Sequence, residues 1–63
     1  MKKYDVFGYD ANNQQVVWCP GVSPKRSAIS MAKAFLAKES VTSVEVMLPG
    51  TFQYQCVYQA ARQ

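Results

Sequence analysis

The residues best suited to chemistry in this sequence lie together in the segment WCPGVSPKRS, residues 18–27. The segment contains the only tryptophan of the chain, one of its two cysteines, and two adjacent cations, Lys25 and Arg26. A helix that begins here presents free N–H groups and a partial positive charge, which suit a phosphate or a carboxylate. The same partial charge repels both cations, and a bound anion would remove that conflict.

Hydroxyl and cationic side chains around this helix start define a candidate anion or nucleic-acid site. Gly21 permits close backbone approach to a ligand, and two serines add hydroxyl groups. The candidate contacts are Ser23, Lys25, Arg26, Ser27 and Lys33. The plainer interpretation is a surface loop with both cations in water, where salt screens their repulsion. The sequence lacks a glycine-rich phosphate-loop motif, which favours the plainer interpretation.

The sequence lacks the sets of residues that catalysis and metal binding need. The chain has no histidine to activate a cysteine nucleophile or to complete a metal site with Cys19 and Cys56. The four carboxylates are spread over two predicted strands, a turn and a helix end, so no pair is placed for acid–base work. The sequence therefore predicts a protein that is not an enzyme and uses no cofactor or metal. The two cysteines would face each other only if the second and fourth strands were neighbours.

Length and composition indicate one small globular domain, residues 1–63. Of the 63 residues, 49% are hydrophobic and 17% are charged, and the formal net charge is +3. A chain of this length buries only about 60% of the surface that its unfolded form exposes, so an ordering partner is plausible. The modest positive charge fits an anionic partner, but it also serves solubility alone.

The N-terminal segment MKKYDVFGYD alternates polar and apolar residues and lacks the apolar run of a signal peptide. No segment approaches the ~20 apolar residues that are needed to span a bilayer. We therefore expect a cytoplasmic protein with reduced thiols and no membrane partner.

Hydrophobic alternation predicts four strands in two hairpins. The first hairpin joins residues 3–9 and 15–19 through the turn DANNQ, and PGVSP then breaks the sheet. The second joins residues 44–48 and 51–59 through the turn PG. In the fourth strand, alternation assigns Phe52, Tyr54, Cys56 and Tyr58 to the core face.

One amphipathic helix is predicted between the hairpins. Ser23 is expected to be its N-cap and Pro24 its first residue, and the 3.6-residue period runs to about Glu39. The element order is ββαββ. The fold class is α+β, a four-stranded, mainly antiparallel sheet with the helix packed on one face. The pattern leaves the strand order open.

The strands carry more apolar side chains than one helix can cover. Alternation therefore leaves apolar residues, including either Val17 or Trp18, on the second face of the sheet. Contiguous exposed apolar area on a small domain marks an interface. The candidate interface residues are Phe7, Tyr9, Trp18, Met47 and Val57.

We therefore expect a small non-enzymatic protein-interaction or accessory domain. It would form a homodimer, or bind another protein, through the sheet face or edge that the helix leaves free. Such short chains are common among phage and mobile-element accessory proteins, so an origin of this kind is expected from chain length and not from particular residues. The alternative is a nucleic-acid or anion-binding module that uses Lys25, Arg26, the basic outer helix face and the terminal cations, including Arg62. In that alternative, strand aromatics would stack on bases.

Overall fold

The computed structural model describes residues 2–50 and 53–62 of the chain. The elements are β1 (Tyr4–Tyr9), β2 (Gln15–Val22), α1 (Lys25–Leu36), β3 (Ser43–Leu48) and β4 (Gln55–Ala61). The four strands form one antiparallel sheet in the order β2-β1-β3-β4, so β1 and β3 are central and β2 and β4 are edges. The predicted α+β class and ββαββ order are confirmed.

The β1–β2 hairpin closes with the turn chemistry that its sequence predicts. The Asp10 carboxylate accepts hydrogen bonds from the backbone N–H groups of Asn12 and Gln14 at 2.9 and 3.0 Å. Asn13 has a φ of 62°, a left-handed conformation that asparagine tolerates better than most residues. These contacts satisfy the turn backbone and bring β2 back alongside β1.

β2 continues through PG to Val22, which corrects the prediction that PGVSP breaks the sheet. A bulge gives β2 one extra residue relative to β1 in this region. Gly21 has a φ of 71°, and its N–H donates to the Asp5 carboxylate at 3.3 Å. Pro20 lacks an N–H, which an edge strand tolerates because one side of it is unpaired. Because β2 lies at the edge of the sheet, Pro20 and Gly21 remain part of the strand and do not end it.

α1 begins later and ends earlier than predicted. Pro24, with extended backbone angles, is the N-cap, and no side chain caps the helix, so Ser23 is not the cap. The C-cap is Ala37, and the chain then turns so that Val41 enters the core. The early end follows from packing, because a helix continued to Glu39 would carry Val41 away from the sheet.

The hydrophobic core lies between α1 and the even-numbered residues of β1 and β3. The buried residues of the core are Tyr4, Val6, Ala28, Ala32, Val41, Val44 and Val46. Two alanines one turn apart on α1 let the helix approach the sheet closely. Gly8 lies on the same side of the sheet, and a Cβ built there would be 3.1 Å from Cβ of its β2 partner Val17 and 3.4 Å from Cγ1 of Val41, so there is little room for a larger side chain.

A bulge in β4 changes the predicted assignment of its faces. Val46 pairs with Tyr58, whereas Met47 pairs with Cys56, so Val57 is an extra residue in β4. Tyr58 packs against the core as predicted, and so does Val57, which alternation assigned to the opposite face. Cys56 is exposed, not part of the core. The predicted assignment of Phe52 lies outside the described residues.

Candidate functional site

The side of the sheet opposite α1 is the candidate site. We call it the open face and define it as the odd-numbered residues of β1 and β3 with their cross-strand partners. Its middle row runs across all four strands, because Phe7 pairs with Trp18 and with Glu45, and Glu45 pairs with Gln59. Directly paired residues in an antiparallel sheet project from the same face and touch. Two aromatic rings and a carboxylate therefore stand side by side.

Two further rows flank this middle row. On one side Tyr9 pairs with Ser43, and on the other Asp5 pairs with Met47, which in turn pairs with Cys56. Phe7, Tyr9 and Met47 are each half-buried on the side of the sheet that α1 does not cover. Four of the five predicted interface residues, all but Val57, thus lie on the open face.

Trp18 is the most exposed of the large apolar side chains that the structure describes, at 60%. Its neighbour Val17 packs against the core, so the choice between Val17 and Trp18 that the sequence left open falls to Trp18. The other exposed large apolar residues, Val16 and Tyr54, lie at a bulge of β2 and before β4. Trp18 is therefore the main apolar projection of the open face.

Charge is segregated between the two layers of the molecule. The four strands contain no lysine or arginine, and their only charged residues are Asp5 and Glu45, both on the open face. α1 contains Lys25, Arg26 and Lys33 and no acidic residue. The open face is consequently acidic and aromatic, while the outer helix face is basic.

A cavity of about 560 Å³ opens at the hairpin end of the open face. It is lined by Tyr9, Asn13, Ser43, Glu45 and Gln59 together with the apolar residues Val44, Ala60 and Ala61. Burial raises the pKa of the Tyr9 phenol, and hydrogen bonding to Glu45 and the charge of Glu45 raise it further. The cavity therefore presents a carboxylate beside a neutral aromatic ring.

Most of the predicted anion contacts lie around the first turn of α1, which no side chain caps. Lys25, Arg26 and Ser27 form the first turn and are exposed, and Ser23 is half-buried just before it. Lys33 is exposed near the other end of the helix. The structure thus brings four of the five candidate contacts together and leaves Lys33 apart from them.

Two other cations are engaged at the C-terminal end of α1. The Arg62 guanidinium donates to the backbone carbonyls of Leu36, at the end of the helix, and of Lys38, which also accepts from Val41 N–H. Lys38 Nζ lies 5.8 Å from the centre of the Phe35 ring, within cation–π range. Arg62, predicted as a terminal phosphate contact, holds β4 against the helix.

The two cysteines lie on opposite edges of the sheet. Cys19 belongs to β2 and Cys56 to β4, and the two central strands separate them by roughly 14 Å at ~4.8 Å per strand spacing. Disulfide formation requires Cα atoms within about 7 Å. The condition under which these cysteines would face each other is therefore not met.

Sequence reasoning missed that Glu45 and Gln59 lie side by side on the open face. Alternation assigned Gln59 to the face opposite the core, where it lies, and in VEVML Glu45 alternates with two core valines and so shares a face with Met47. Their direct pairing was not readable from the sequence, because it depends on the order and register of β3 and β4.

Within residues 2–50 and 53–62, no three side chains of the cysteine, aspartate and glutamate types lie close enough to hold a metal ion. In this part of the chain no helix has the length and apolar character needed to cross a membrane. Comparison of the chain with protein-family models, with curated proteins and with solved structures gives no match.

Proposed function

We propose that this protein is a small non-enzymatic protein-interaction domain whose binding surface is the open face. The observation that carries the proposal is Trp18, 60% exposed and paired with Phe7 on a side of the sheet that α1 does not cover. Tryptophan is among the residues that contribute most to binding free energy at protein interfaces. A tryptophan that is 60% exposed contributes less to folding than a buried one would.

The surroundings of Trp18 suit a binding surface. Its partner Phe7 stands on the central strand β1, and the fully buried valines of the core fix both central strands beside the edge strand that carries Trp18. A rigid surface loses less conformational entropy on binding than a mobile one. Polar side chains around the aromatic pair provide the rim that protein interfaces usually have.

We further propose that two copies associate through the edge of β4 and not through the open face. β2 carries Pro20 and two bulges, features that protect a sheet edge from pairing. β4 contains neither a proline nor a charged residue, so its unpaired backbone groups are available to a second chain. Face-to-face association would bring Asp5 and Glu45 of two copies together without a cation among the strands.

Charge substitutions at the two ends of β4 test this dimer. In an antiparallel pair of β4 strands centred on Tyr58, Gln55 of one copy faces Ala61 of the other. The variant Q55K/A61K would then place lysines opposite lysines and separate the copies, whereas the matched control Q55E/A61K would place opposite charges together. Sedimentation should show a dimer for the parent and control and a monomer for the first variant. A monomeric parent at high concentration would defeat the dimer.

The binding surface is tested with a display library of random dodecapeptides selected on the immobilised protein. Trp18→Ser should abolish capture of the selected peptides, because it removes the largest apolar contact of the open face. The matched control is Tyr54→Ser, which removes another exposed aromatic side chain outside the four strands. Equal loss in both variants, or loss in neither, would overturn the proposal.

The second candidate function is nucleic-acid or anion binding by the helix layer. It is favoured by one observation, that α1 exposes Lys25, Arg26 and Lys33 without any acidic residue. The aromatic residues do not join this surface, because they lie on the opposite side beside two carboxylates. Oligonucleotide affinity that falls steeply with salt and is lost in K25A/R26A would support this candidate. Trp18→Ser should leave such binding unchanged.

A further inference from the structure

We infer that the open face recognises a protein segment that carries a lysine or arginine next to apolar residues, and that the basic side chain enters the cavity beside Glu45. The inference rests on the proposed function, because it specifies the partner chemistry of the same surface. Three features carry it: the charge of the open face, the lining of the cavity and the order of side chains along the middle row.

The charge of the open face requires a positive partner. Asp5 and Glu45 are both half-buried on the central strands, and no strand supplies a cation to either. A partner that covers Phe7 and Trp18 removes water from the neighbouring Glu45 as well. A carboxylate that loses water without gaining a cation or hydrogen-bond donor is strongly unfavourable, so an apolar or acidic partner would bind poorly.

The Asp5 and Glu45 carboxylates each have one neutral hydrogen-bond donor, and only Glu45 faces the cavity. Asp5 accepts a hydrogen bond from Gly21 N–H at the bulge of β2. Glu45 lies among Tyr9, Ser43 and Gln59 and is hydrogen-bonded to the Tyr9 phenol, so its surroundings offer a neutral donor and an aromatic ring but no cation. An ammonium or guanidinium group in this cavity would contact the carboxylate directly and the Tyr9 ring by a cation–π interaction.

The middle row sets the sequence pattern of the partner. Trp18, Phe7 and Glu45 stand on β2, β1 and β3, at spacings of about 4.8 Å between neighbouring strands. A segment that crosses the strands therefore meets two apolar rings and then a carboxylate. Apolar side chains followed by one basic side chain would match this order.

A second copy of this chain does not fit the open face. The cations of α1 lie on its outer side, where Arg26, Ser30 and Lys33 are exposed and no large apolar side chain accompanies them. Docking of that side would leave Trp18 and Phe7 without apolar contacts. Such a contact also joins two different surfaces, and it would continue from copy to copy without closing.

The test uses peptides selected from the dodecapeptide library on the parent protein. We expect the selected peptides to be enriched in lysine or arginine next to aromatic or aliphatic residues. Glu45→Gln, which keeps the shape and removes the charge, should weaken their binding about tenfold or more. Glu39→Gln is the matched control, since it removes the same charge from the exposed turn after α1 and should change nothing.

A second variant supplies the missing cation from within the chain. Gln59 is the direct cross-strand neighbour of Glu45, so the lysine in Gln59→Lys would pair with the carboxylate and compete with the basic side chain of the peptide. Peptide binding should weaken as it does in Glu45→Gln. Urea unfolding of both variants should match the parent, which separates lost recognition from lost folding.

The outcomes distinguish this inference from the proposed function. If binding requires Trp18 but the peptides lack basic residues, or if Glu45→Gln binds them as tightly as the parent, the inference is overturned and the proposed function stands. If neither Trp18→Ser nor Glu45→Gln weakens binding, both are overturned. A selection that enriches no peptide also counts against both.

Discussion

The two sides of the sheet are built from alternate residues of the same strands and have opposite compositions. On the helix side Val6, Val44 and Val46 are fully buried against small residues of α1. On the open face Phe7, Glu45 and Met47 alternate with those valines and stay half-buried. Apart from Tyr4, the buried core thus consists of compact side chains, and the aromatic groups of Phe7, Tyr9 and Trp18 are left outside it. Folding depends mainly on the core-side residues of each strand, and the proposed recognition depends on the residues of the open face.

The largest expected difference is between two neighbours in β3, Val46 and Met47. Val46→Ser should lower the free energy of unfolding by about 3 kcal/mol, because it leaves a cavity and buries a hydroxyl group. Met47→Ser should cost about 1 kcal/mol or less, since Met47 is only half-buried. Urea unfolding of the two variants measures both values. Similar losses would contradict the division of the strand into a core side and a binding side.

The loss at Val46 is large relative to the stability of the whole molecule. A chain of 63 residues is expected to have an unfolding free energy of roughly 3–9 kcal/mol. If the Val46→Ser variant is largely unfolded at room temperature, its free energy of unfolding is measured at low temperature with the slope of the urea transition taken from the parent protein.

Gly8 tests how tightly the helix side of the sheet is packed. A Cβ at this position would lie 3.1 Å from Cβ of Val17 and 3.4 Å from Cγ1 of Val41, so Gly8→Ala should cost about 1–3 kcal/mol. Gly21→Ala is the comparison at the sheet edge, where no atom lies within 4 Å but φ is +71°. Its cost should be about 1 kcal/mol, from backbone strain alone. Urea unfolding of the two variants measures both costs, and a smaller loss in Gly8→Ala than in Gly21→Ala would contradict the crowding on the helix side.

Arg62 tests how firmly the end of β4 is joined to the helix layer. Arg62→Ala should lower the free energy of unfolding by about 1 kcal/mol, because the carbonyls of Leu36 and Lys38 lose a charged donor. Arg62→Lys keeps the charge and loses the forked geometry, so it should recover part of that loss. Thermal unfolding compares the three proteins, and equal stability of parent and Arg62→Ala would show that the contact contributes nothing.

The sequence predicted the elements well because their signals are local. Alternation in β1 and β3 and the 3.6-residue period of α1 each reflect one buried face, and the Asp10 turn depends on neighbouring residues only. The predictions were wrong where the local structure depends on the position of a strand in the sheet and on its pairing. Pro20 and Gly21 remain within β2 because the strand lies at an edge, and Val57 turns inward because β4 bulges beside β3.

The candidate site was predictable to the same extent. Four interface residues follow from alternation within a single strand, whereas the cavity requires the strand order. Tyr9, Ser43 and Gln59 meet only because β1, β3 and β4 lie side by side, and no local pattern fixed that order. The sequence thus indicated that a second face exists, and the topology determined which polar groups share it.

The smallest predicted effect concerns the protonation of Tyr9 on the open face. Burial, and then the hydrogen bond and charge of Glu45, raise the pKa of the phenol, so the folded protein holds this proton more tightly than the unfolded chain. Stability from this group is therefore complete below the ordinary tyrosine pKa of about 10 and falls as the pH rises through the higher folded value. Tyr9→Phe should remove that part of the alkaline loss.

The variant Glu45→Gln separates the effect of burial on the Tyr9 pKa from the effect of Glu45. The variant removes the negative charge but keeps the burial, so the pKa of Tyr9 should move part of the way back toward its ordinary value. Absorbance of the phenolate during an alkaline titration measures the change, with Tyr9→Phe identifying the signal. A bound basic peptide should act in the same direction, because a cation beside Glu45 offsets its charge. If Glu45→Gln leaves the titration of Tyr9 unchanged, Glu45 does not control the electrostatics of the cavity, and the open face loses its reason to prefer a basic partner.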